Sequence, residues 1–217
     1  MRGSIRALCL HGSVVSCLVA VLHARAAAQT FQSWNEVDVT ASWGKVDLIV
    51  PFLTRTDTSL PNPQLAASGF TADFSLPWRL TLTGGYLFAD LPQRSEWVHL
   101  PLVAVTKSFQ WGRCSLADRN RFEKLVGFPG NPVRYRNRLF LDRPLGPHNA
   151  WHVFVDDEAI WNLSAGQWSQ NRAQVGGGAR LSRRLFLDVY FLRRNVSGGG
   201  PATNVVGNIL RVALTPR

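Results

Sequence analysis

Arginines recur at alternate positions in two neighbouring stretches, and this spacing limits the possible folds more than any other feature of the chain. The two sets are separated by a Gly/Pro-rich segment: Arg119, Arg121 and Glu123, then Arg134, Arg136 and Arg138. Because successive side chains of a β-strand point to opposite faces, each set occupies one face of a strand. A soluble two-layer protein would turn this face to water. A membrane barrel would turn it into a polar lumen and present its apolar face to lipid.

The N-terminal segment has the features of a secretion signal. Arg2 and Arg6 precede a mostly apolar stretch at 7–22, and the alanines at 26–28 fit a small-residue cleavage site. We therefore expect residues 1–28 to be removed and residues 29–217 to form a single domain. The alternatives are a retained membrane anchor and a lipoprotein cleavage box ending at Cys17. Polar residues within the apolar stretch disfavour the first, and the short apolar sequence before Cys17 disfavours the second.

Removal of the signal changes both the charge and the cysteine content. Three arginines leave with it, so the formal net charge falls from +10 to +7, and Cys114 is the one cysteine that remains. A single thiol forms neither an internal disulfide nor, by itself, a metal site, so we expect no metal and no cofactor. No later segment approaches the length of an apolar transmembrane helix. Such an exported chain can still enter a membrane as a closed barrel.

Short alternating runs separated by turn residues make up the rest of the chain, with almost no helical periodicity. Eleven can be read, the sixth and seventh being the two arginine sets; the others lie at 34–42, 46–55, 70–76, 79–89, 96–109, 151–161, 170–181, 185–193 and 205–214. These lengths suit tilted strands that cross a bilayer. The pattern predicts an all-β fold, a closed antiparallel transmembrane β-barrel. Because single-chain bacterial barrels have even strand numbers, we suspect that the first or the fifth run is miscounted and predict ten to twelve strands.

The connections between runs alternate between short and long, which is typical of outer-membrane barrels. The long ones lie near 56–66, 90–95, 124–133, 162–169 and 194–204. The tryptophans divide in the same way, with Trp43, Trp78, Trp111 and Trp151 near short turns and Trp34, Trp97, Trp161 and Trp168 near long loops. This division predicts two girdles of interface aromatics. The alternative is a soluble sandwich with tryptophans at both ends of its core.

Several of these motifs resemble an uncharacterised family of short bacterial proteins that is defined only as a domain of unknown function. The motifs are Trp34-Asn35-Glu36, the two arginine sets, the acidic run with Asp156 and Glu158, and Gln170-Asn171-Arg172. The resemblance covers about residues 31–214. It implies an outer-membrane β-barrel inserted by the barrel-assembly machinery, and it supplies no reaction and no catalytic residues. One departure is the C-terminus, Leu214-Thr215-Pro216-Arg217, where many outer-membrane barrels carry an aromatic residue.

The inward-facing charges of such a barrel are the main candidate site. This lumen charge ladder comprises Arg119, Arg121, Glu123, Arg134, Arg136, Arg138, Asp156, Glu158, Arg172, Asp188 and Arg211. Charges in a confined space must pair, because an unpaired buried charge is costly. One interpretation is structural, with the ladder filling a narrow barrel and fixing strand register. The other is porin-like, with an arginine-rich constriction that passes small anionic solutes.

Catalysis is a weaker hypothesis. An outer-membrane lipid-modifying hydrolase needs a serine and a histidine within hydrogen-bond reach. The candidates are His99, His148, His152, Ser115, Ser164 and Asp156, and none lies in a nucleophile motif. His152 and Asp156 share a strand face but are separated by about 13 Å. We therefore predict no catalytic residues.

The positive charge also raises nucleic acid as a partner. The basic residues are spread over many runs with acidic neighbours, so we predict no nucleic-acid binding. The expected partners are instead outer-membrane lipid and, through basic residues in the long loops, anionic lipopolysaccharide. The alternative function is a soluble periplasmic β-barrel that binds a ligand. Nothing in the sequence indicates an oligomeric state.

Overall fold

Eleven β-strands make up almost all of the computed structural model, which describes residues 30–57 and 63–215. The strands are β1 (Thr30–Trp43), β2 (Val46–Asp57), β3 (Leu65–Leu76), β4 (Leu80–Leu91), β5 (Glu96–Trp111), β6 (Cys114–Lys124), β7 (Val133–Leu145), β8 (Trp151–Asn162), β9 (Gln167–Arg180), β10 (Leu185–Val196) and β11 (Thr203–Ala213). The proposed signal at 1–28 lies outside the described residues. Within the described part, no helix is long and apolar enough to cross a membrane.

The strands form a closed barrel in which each strand pairs antiparallel with its neighbours in sequence. The exception is the closing pair, β1 with β11, which is parallel. Eleven up-and-down strands leave the first and the last running in the same direction, so only a parallel pair can close the barrel. The all-β closed barrel is confirmed. The suspicion of a miscounted run is wrong, because β1 extends to 14 residues and β5 is one continuous strand of 16.

Strand register decides which face of the wall turns inward. Arg138 lies opposite both Arg119 and Glu158, and Glu158 lies opposite Arg172, so these side chains form one row across four strands. Glu158 and Arg172 are buried, which places this row inside the barrel. The alternate positions point outward and expose large apolar side chains, among them Phe52, Phe70, Phe74, Val103, Val105, Leu139, Leu141, Val155 and Val189.

One part of the outer wall is polar. It spans β6 to β9 and is called here the outer polar patch: Asp118, Asn120, Asn137, Asp157 and Asn171. The Asn137 amide donates to Asp118 Oδ1 at 2.7 Å and to Asn120 Oδ1 at 3.1 Å, and the Asn171 amide donates to Asp157 Oδ1 at 2.7 Å. These amides therefore satisfy the two outward carboxylates within the patch itself.

The two ends of the barrel differ less than the sequence pattern predicts. Connections 92–95 and 163–166, expected to be long loops, are no longer than the turn at 146–150 on the opposite rim. The longer connections on the expected rim are 58–64, 125–132 and 197–202. The hydrogen bonds of β4 with β5 and of β8 with β9 continue almost to the strand ends, which shortens the connections between them.

Trp34 lies inside the barrel, so its assignment to an outer aromatic girdle is wrong. It is 7% exposed and lies opposite Arg55, on the same face of β1 as Glu36 and Asp38. Closeness to a strand end sets only the height of a residue, whereas the two-residue period sets its face. The remaining tryptophans lie near the two rims and are 38–85% exposed: Trp43, Trp78, Trp97, Trp111, Trp151, Trp161 and Trp168.

Candidate functional site: a lumen with two unlike walls

A cavity of about 640 Å³ occupies the lumen. It extends from Leu65, Leu91 and Phe128, near the longer loops, to Asp73 and Thr83, near the short turns. Two kinds of wall line most of it, and β1, β10 and β11 complete the lining with Trp34, Glu36, Asp38, Tyr190, Leu192 and Ile209. We call the charged inner surface of β6 to β9 the basic wall and the inner surface of β2 to β5 the apolar wall.

Glu123 is the first centre of the basic wall. Its buried carboxylate is 2% exposed and pairs with three arginines, Arg121, Arg134 and Arg136. The pairing with Arg134 crosses from β6 to β7, where Glu123 and Arg134 are directly opposed. Neighbouring strands therefore bring together charges that lie on either side of the 125–132 connection.

Glu158 is the second centre. It is 3% exposed, and three guanidinium groups lie within 3.3 Å of its carboxylate: Arg119 at 3.3 Å, Arg136 at 2.7 Å and Arg172 at 3.2 Å. Arg136 contacts both Glu123 and Glu158, so it joins the two centres into one network.

This network carries more positive than negative charge. Its five arginines share two glutamates, which leaves an excess of three positive charges, while Arg138 forms a separate neutral pair with Asp156 at 2.8 Å. The Nε atoms of Arg121, Arg134 and Arg172 are buried and find no acceptor among the described residues. The uncompensated charge of the network favours an anion on this side of the cavity, away from the carboxylates of Glu36, Asp38 and Asp73 that also line it.

Trp34 extends the positive surface towards β2. The guanidinium carbon of Arg55 lies 3.9 Å from the centroid of the indole ring, and that of Arg172 lies at 5.3 Å. Both distances are within the range of cation–π attraction. The indole Nε1 donates to Gln32 Oε1 at 3.1 Å, which fixes the ring between the two cations.

Aliphatic side chains predominate on the apolar wall, where Arg55 of β2 and Asp73 of β3 are the charged residues that line the cavity. The cavity is lined there by Leu53, Ala67, Leu87, Ala89, Leu100, Leu102 and Ala104. At the rim with the longer loops, the 125–132 connection turns inward, and Leu125 and Phe128 pack against the apolar wall. Val126 holds the connection in place through two backbone hydrogen bonds with His99, of 2.8 and 2.9 Å. Gly127 has a φ of +90°, and a Cβ there would lie 2.3 Å from the carbonyl oxygen of Trp97, so the turn requires glycine.

A separate polar cluster lies near the short-turn rim. His152 Nδ1 is 2.6 Å from Asp142 Oδ1, and its Nε2 is 2.8 Å from Asp188 Oδ1. Asp188 also pairs with Arg211 at 2.6 Å. Gly178 makes room for this cluster, because a Cβ there would lie 2.0 Å from Asp188 Oδ1.

The predicted ladder therefore divides into two groups. Nine of its members form the basic wall: Arg119, Arg121, Glu123, Arg134, Arg136, Arg138, Asp156, Glu158 and Arg172. Asp188 and Arg211 belong to the cluster around His152. Sequence reasoning missed Arg55, Asp142 and the apolar wall. A signal existed for Asp142, which continues the alternation of Arg134, Arg136 and Arg138 along β7.

Four of the residues considered for catalysis, His99, His152, Asp156 and Ser164, have other partners. Both ring nitrogens of His152 face carboxylates, Asp156 pairs with Arg138, and Ser164 Oγ accepts a hydrogen bond from the Val133 amide at 2.9 Å. His99 points to the outer wall, where it contacts the Tyr86 hydroxyl. The described residues contain no group of three or more His, Cys, Asp or Glu arranged to hold a metal ion.

A family model described as "Protein of unknown function (DUF2490)" matches residues 31–204. The chain belongs to this family. The resemblance to an uncharacterised family is thereby confirmed. This member of the family folds as a closed β-barrel. No curated protein matches the chain.

Proposed function

We propose that this protein is an outer-membrane β-barrel, exported by residues 1–28, whose lumen admits and binds small anions. The observation that carries the proposal is the excess of positive charge on the basic wall beside an internal cavity of about 640 Å³. Arginines that line a confined pore favour anionic over cationic solutes.

The outer wall supports the membrane part of the proposal. Exposed phenylalanine, valine and leucine side chains occupy many outward positions of β2 to β5, and exposed tryptophans lie near both rims. An apolar band between two aromatic girdles is the pattern of barrels that cross a bilayer. In this proposal lipid surrounds the outer wall, and the barrel-assembly machinery inserts the barrel into the membrane.

A planar-bilayer experiment tests the lumen. The purified full-length mature chain is inserted between unequal KCl concentrations, and the sign of the reversal potential gives the charge selectivity. We expect anion selectivity that falls when Arg134 is replaced, in Arg134→Gln, because one of the three excess charges is lost. Arg143→Gln is the matched control, since this arginine lies on the same strand but on the outer face. Cation selectivity, or a folded barrel without current, contradicts anion passage.

A soluble periplasmic β-barrel is the second candidate, and the outer polar patch is the observation that favours it. Two carboxylates at mid-strand positions suit water better than hydrocarbon. Cell fractionation separates the two candidates. We expect the protein in the membrane fraction and resistant to carbonate extraction. Recovery in the soluble periplasm without detergent contradicts the membrane proposal and supports the second candidate.

A further inference from the structure

The lumen has a feature that passage of small hydrophilic anions does not require. Next to its arginines, the cavity meets an aliphatic surface contributed by four strands. Leu53 of β2, Ala67 of β3, Leu87 of β4, and Leu100 and Leu102 of β5 line this surface. Apolar side chains that face an aqueous channel lose free energy to hydration, and an apolar body placed against them recovers it.

The aliphatic surface is also closed at one end. Leu125 is 5% exposed, and together with Phe128 it packs against Ala89 and Val98 at the loop end of the apolar wall. The 125–132 connection thus forms an apolar roof over this half of the lumen. On the basic wall, the side chains of Arg119, Arg121, Arg134, Arg136, Arg138 and Arg172 line the same cavity.

We propose that the lumen binds an amphipathic anion, with its carboxylate or phosphate head on the basic wall and its alkyl body on the apolar wall. This inference rests on the proposed function in one respect, that the lumen is an anion site. It adds the chemical class of the occupant, which is a single apolar chain with one anionic end. Free fatty acids and lipid fragments share this chemistry.

The dimensions of the cavity agree with such an occupant. Pockets for small organic ligands have volumes of roughly 300–1,000 Å³, with mostly apolar linings and a few polar groups that fix orientation. The lumen cavity of about 640 Å³ lies within this range. Trp34 lies on β1, between β2 of the apolar wall and Arg172 of the basic wall, so an occupant that uses both walls passes close to its indole.

Quenching of tryptophan fluorescence provides a direct test. The probe is 12-bromododecanoate, whose bromine quenches indoles on contact, titrated into the full mature chain in nonionic detergent. We expect a saturable component that disappears in Trp34→Phe, above a non-saturable background from probe dissolved in the micelle. Unlabelled dodecanoate should displace the probe, whereas acetate and dodecyltrimethylammonium should not.

Paired variants test what each wall contributes to binding of the amphipathic anion. The double variant Leu53→Asn with Leu87→Asn should weaken saturable binding at least tenfold, while Leu53→Met with Leu87→Met, which keeps an apolar surface, should bind as the parent does. Arg134→Gln should weaken binding, and Arg134→Lys should restore most of it. Circular dichroism and the heat-dependent shift in gel mobility establish that each variant is folded.

The outcomes separate this inference from the proposed function. Anion-selective current without saturable binding of 12-bromododecanoate overturns the amphipathic occupant and leaves anion passage intact. Binding without current supports the occupant and overturns passage. Equal displacement by the cationic analogue, or binding unchanged in the asparagine variants, overturns the inference.

Discussion

The two halves of the barrel wall distribute polarity in opposite ways. In β2 to β5 both surfaces are largely apolar, with leucine and alanine inside and exposed phenylalanine and valine outside. In β6 to β9 the inner surface is an arginine and glutamate network, and the outer surface carries the outer polar patch. The comparison shows that a strand displays a clear two-residue alternation only where its two surfaces differ in polarity.

The difference also shows how each half is stabilised. The apolar half is held by burial, as in the cluster of Ala89, Val98 and Leu125. In the charged half, ion pairs in which each glutamate serves three arginines act beside an apolar cluster that includes Phe140 and Phe154. Loss of one such carboxylate should therefore cost at least as much as truncation of one buried aliphatic side chain.

Removal of the Glu123 carboxylate is expected to have the largest effect. In Glu123→Gln three arginines lose their common anionic partner, and breaking a buried ion pair costs about 3–5 kcal/mol. The measurement is the free energy of unfolding in urea, monitored by the gel mobility of the folded barrel. Asp90→Asn, on the outer face of β4, is the control and should be nearly neutral. A neutral Glu123→Gln would mean that the network does not stabilise the charged half.

A methyl group added at Gly178 tests how tightly that half is packed. The new Cβ of Gly178→Ala would lie 2.0 Å from Asp188 Oδ1 and 2.4 Å from His152 Nε2, so their contact must break or shift. Overpacking of this kind costs about 1–3 kcal/mol. Gly84→Ala, on the outer face of β4, is the control, because its Cβ meets no atom within 4 Å. Equal thermal stability of the two variants would mean that the cluster around His152 accommodates the added methyl group.

A substitution in the outer polar patch should give the smallest change in the free energy of unfolding. Unlike the other two, it should stabilise the barrel. Replacement of Asp157 by leucine removes an outward carboxylate from the middle of β8, and in a bilayer this should stabilise the barrel by about 1 kcal/mol. The measurement is reversible unfolding from lipid vesicles. Asp90→Leu, close to the rim, should have little effect, since the cost of a charge on the lipid face depends on depth. Destabilisation by Asp157→Leu in vesicles would argue that lipid does not surround this surface.

The sequence predicted much of the charged half. Arg134, Arg136 and Arg138 recur at every second position of β7, so their shared face was readable from spacing alone. The requirement for glycine at 178 came only from the structure, because it is set by the side chains of His152 and Asp188 on the adjoining strands. The spacing could not show that Arg136 joins Glu123 to Glu158, since that contact depends on the register of three strands.

The apolar wall could not be predicted in the same way. Leu87 faces the lumen and Phe88 faces outward, yet both are apolar, so the sequence of β4 does not distinguish inside from outside. Trp34 is a different case, because the period it shares with Glu36 and Asp38 already indicated its inward face. Its misplacement came from weighting distance from a strand end above alternation.

The sequence by itself determined that this chain forms strands and that the guanidinium groups of β6 and β7 lie together on one surface, because the pleat of a strand converts two-residue spacing into a face. Only the tertiary structure decided that eleven strands close through a parallel pair, and that the arginines share one cavity with an aliphatic wall. Closure and register are properties of pairs of strands. They bring residues that are distant in sequence into one lumen, and a local sequence pattern does not specify which distant residues meet there.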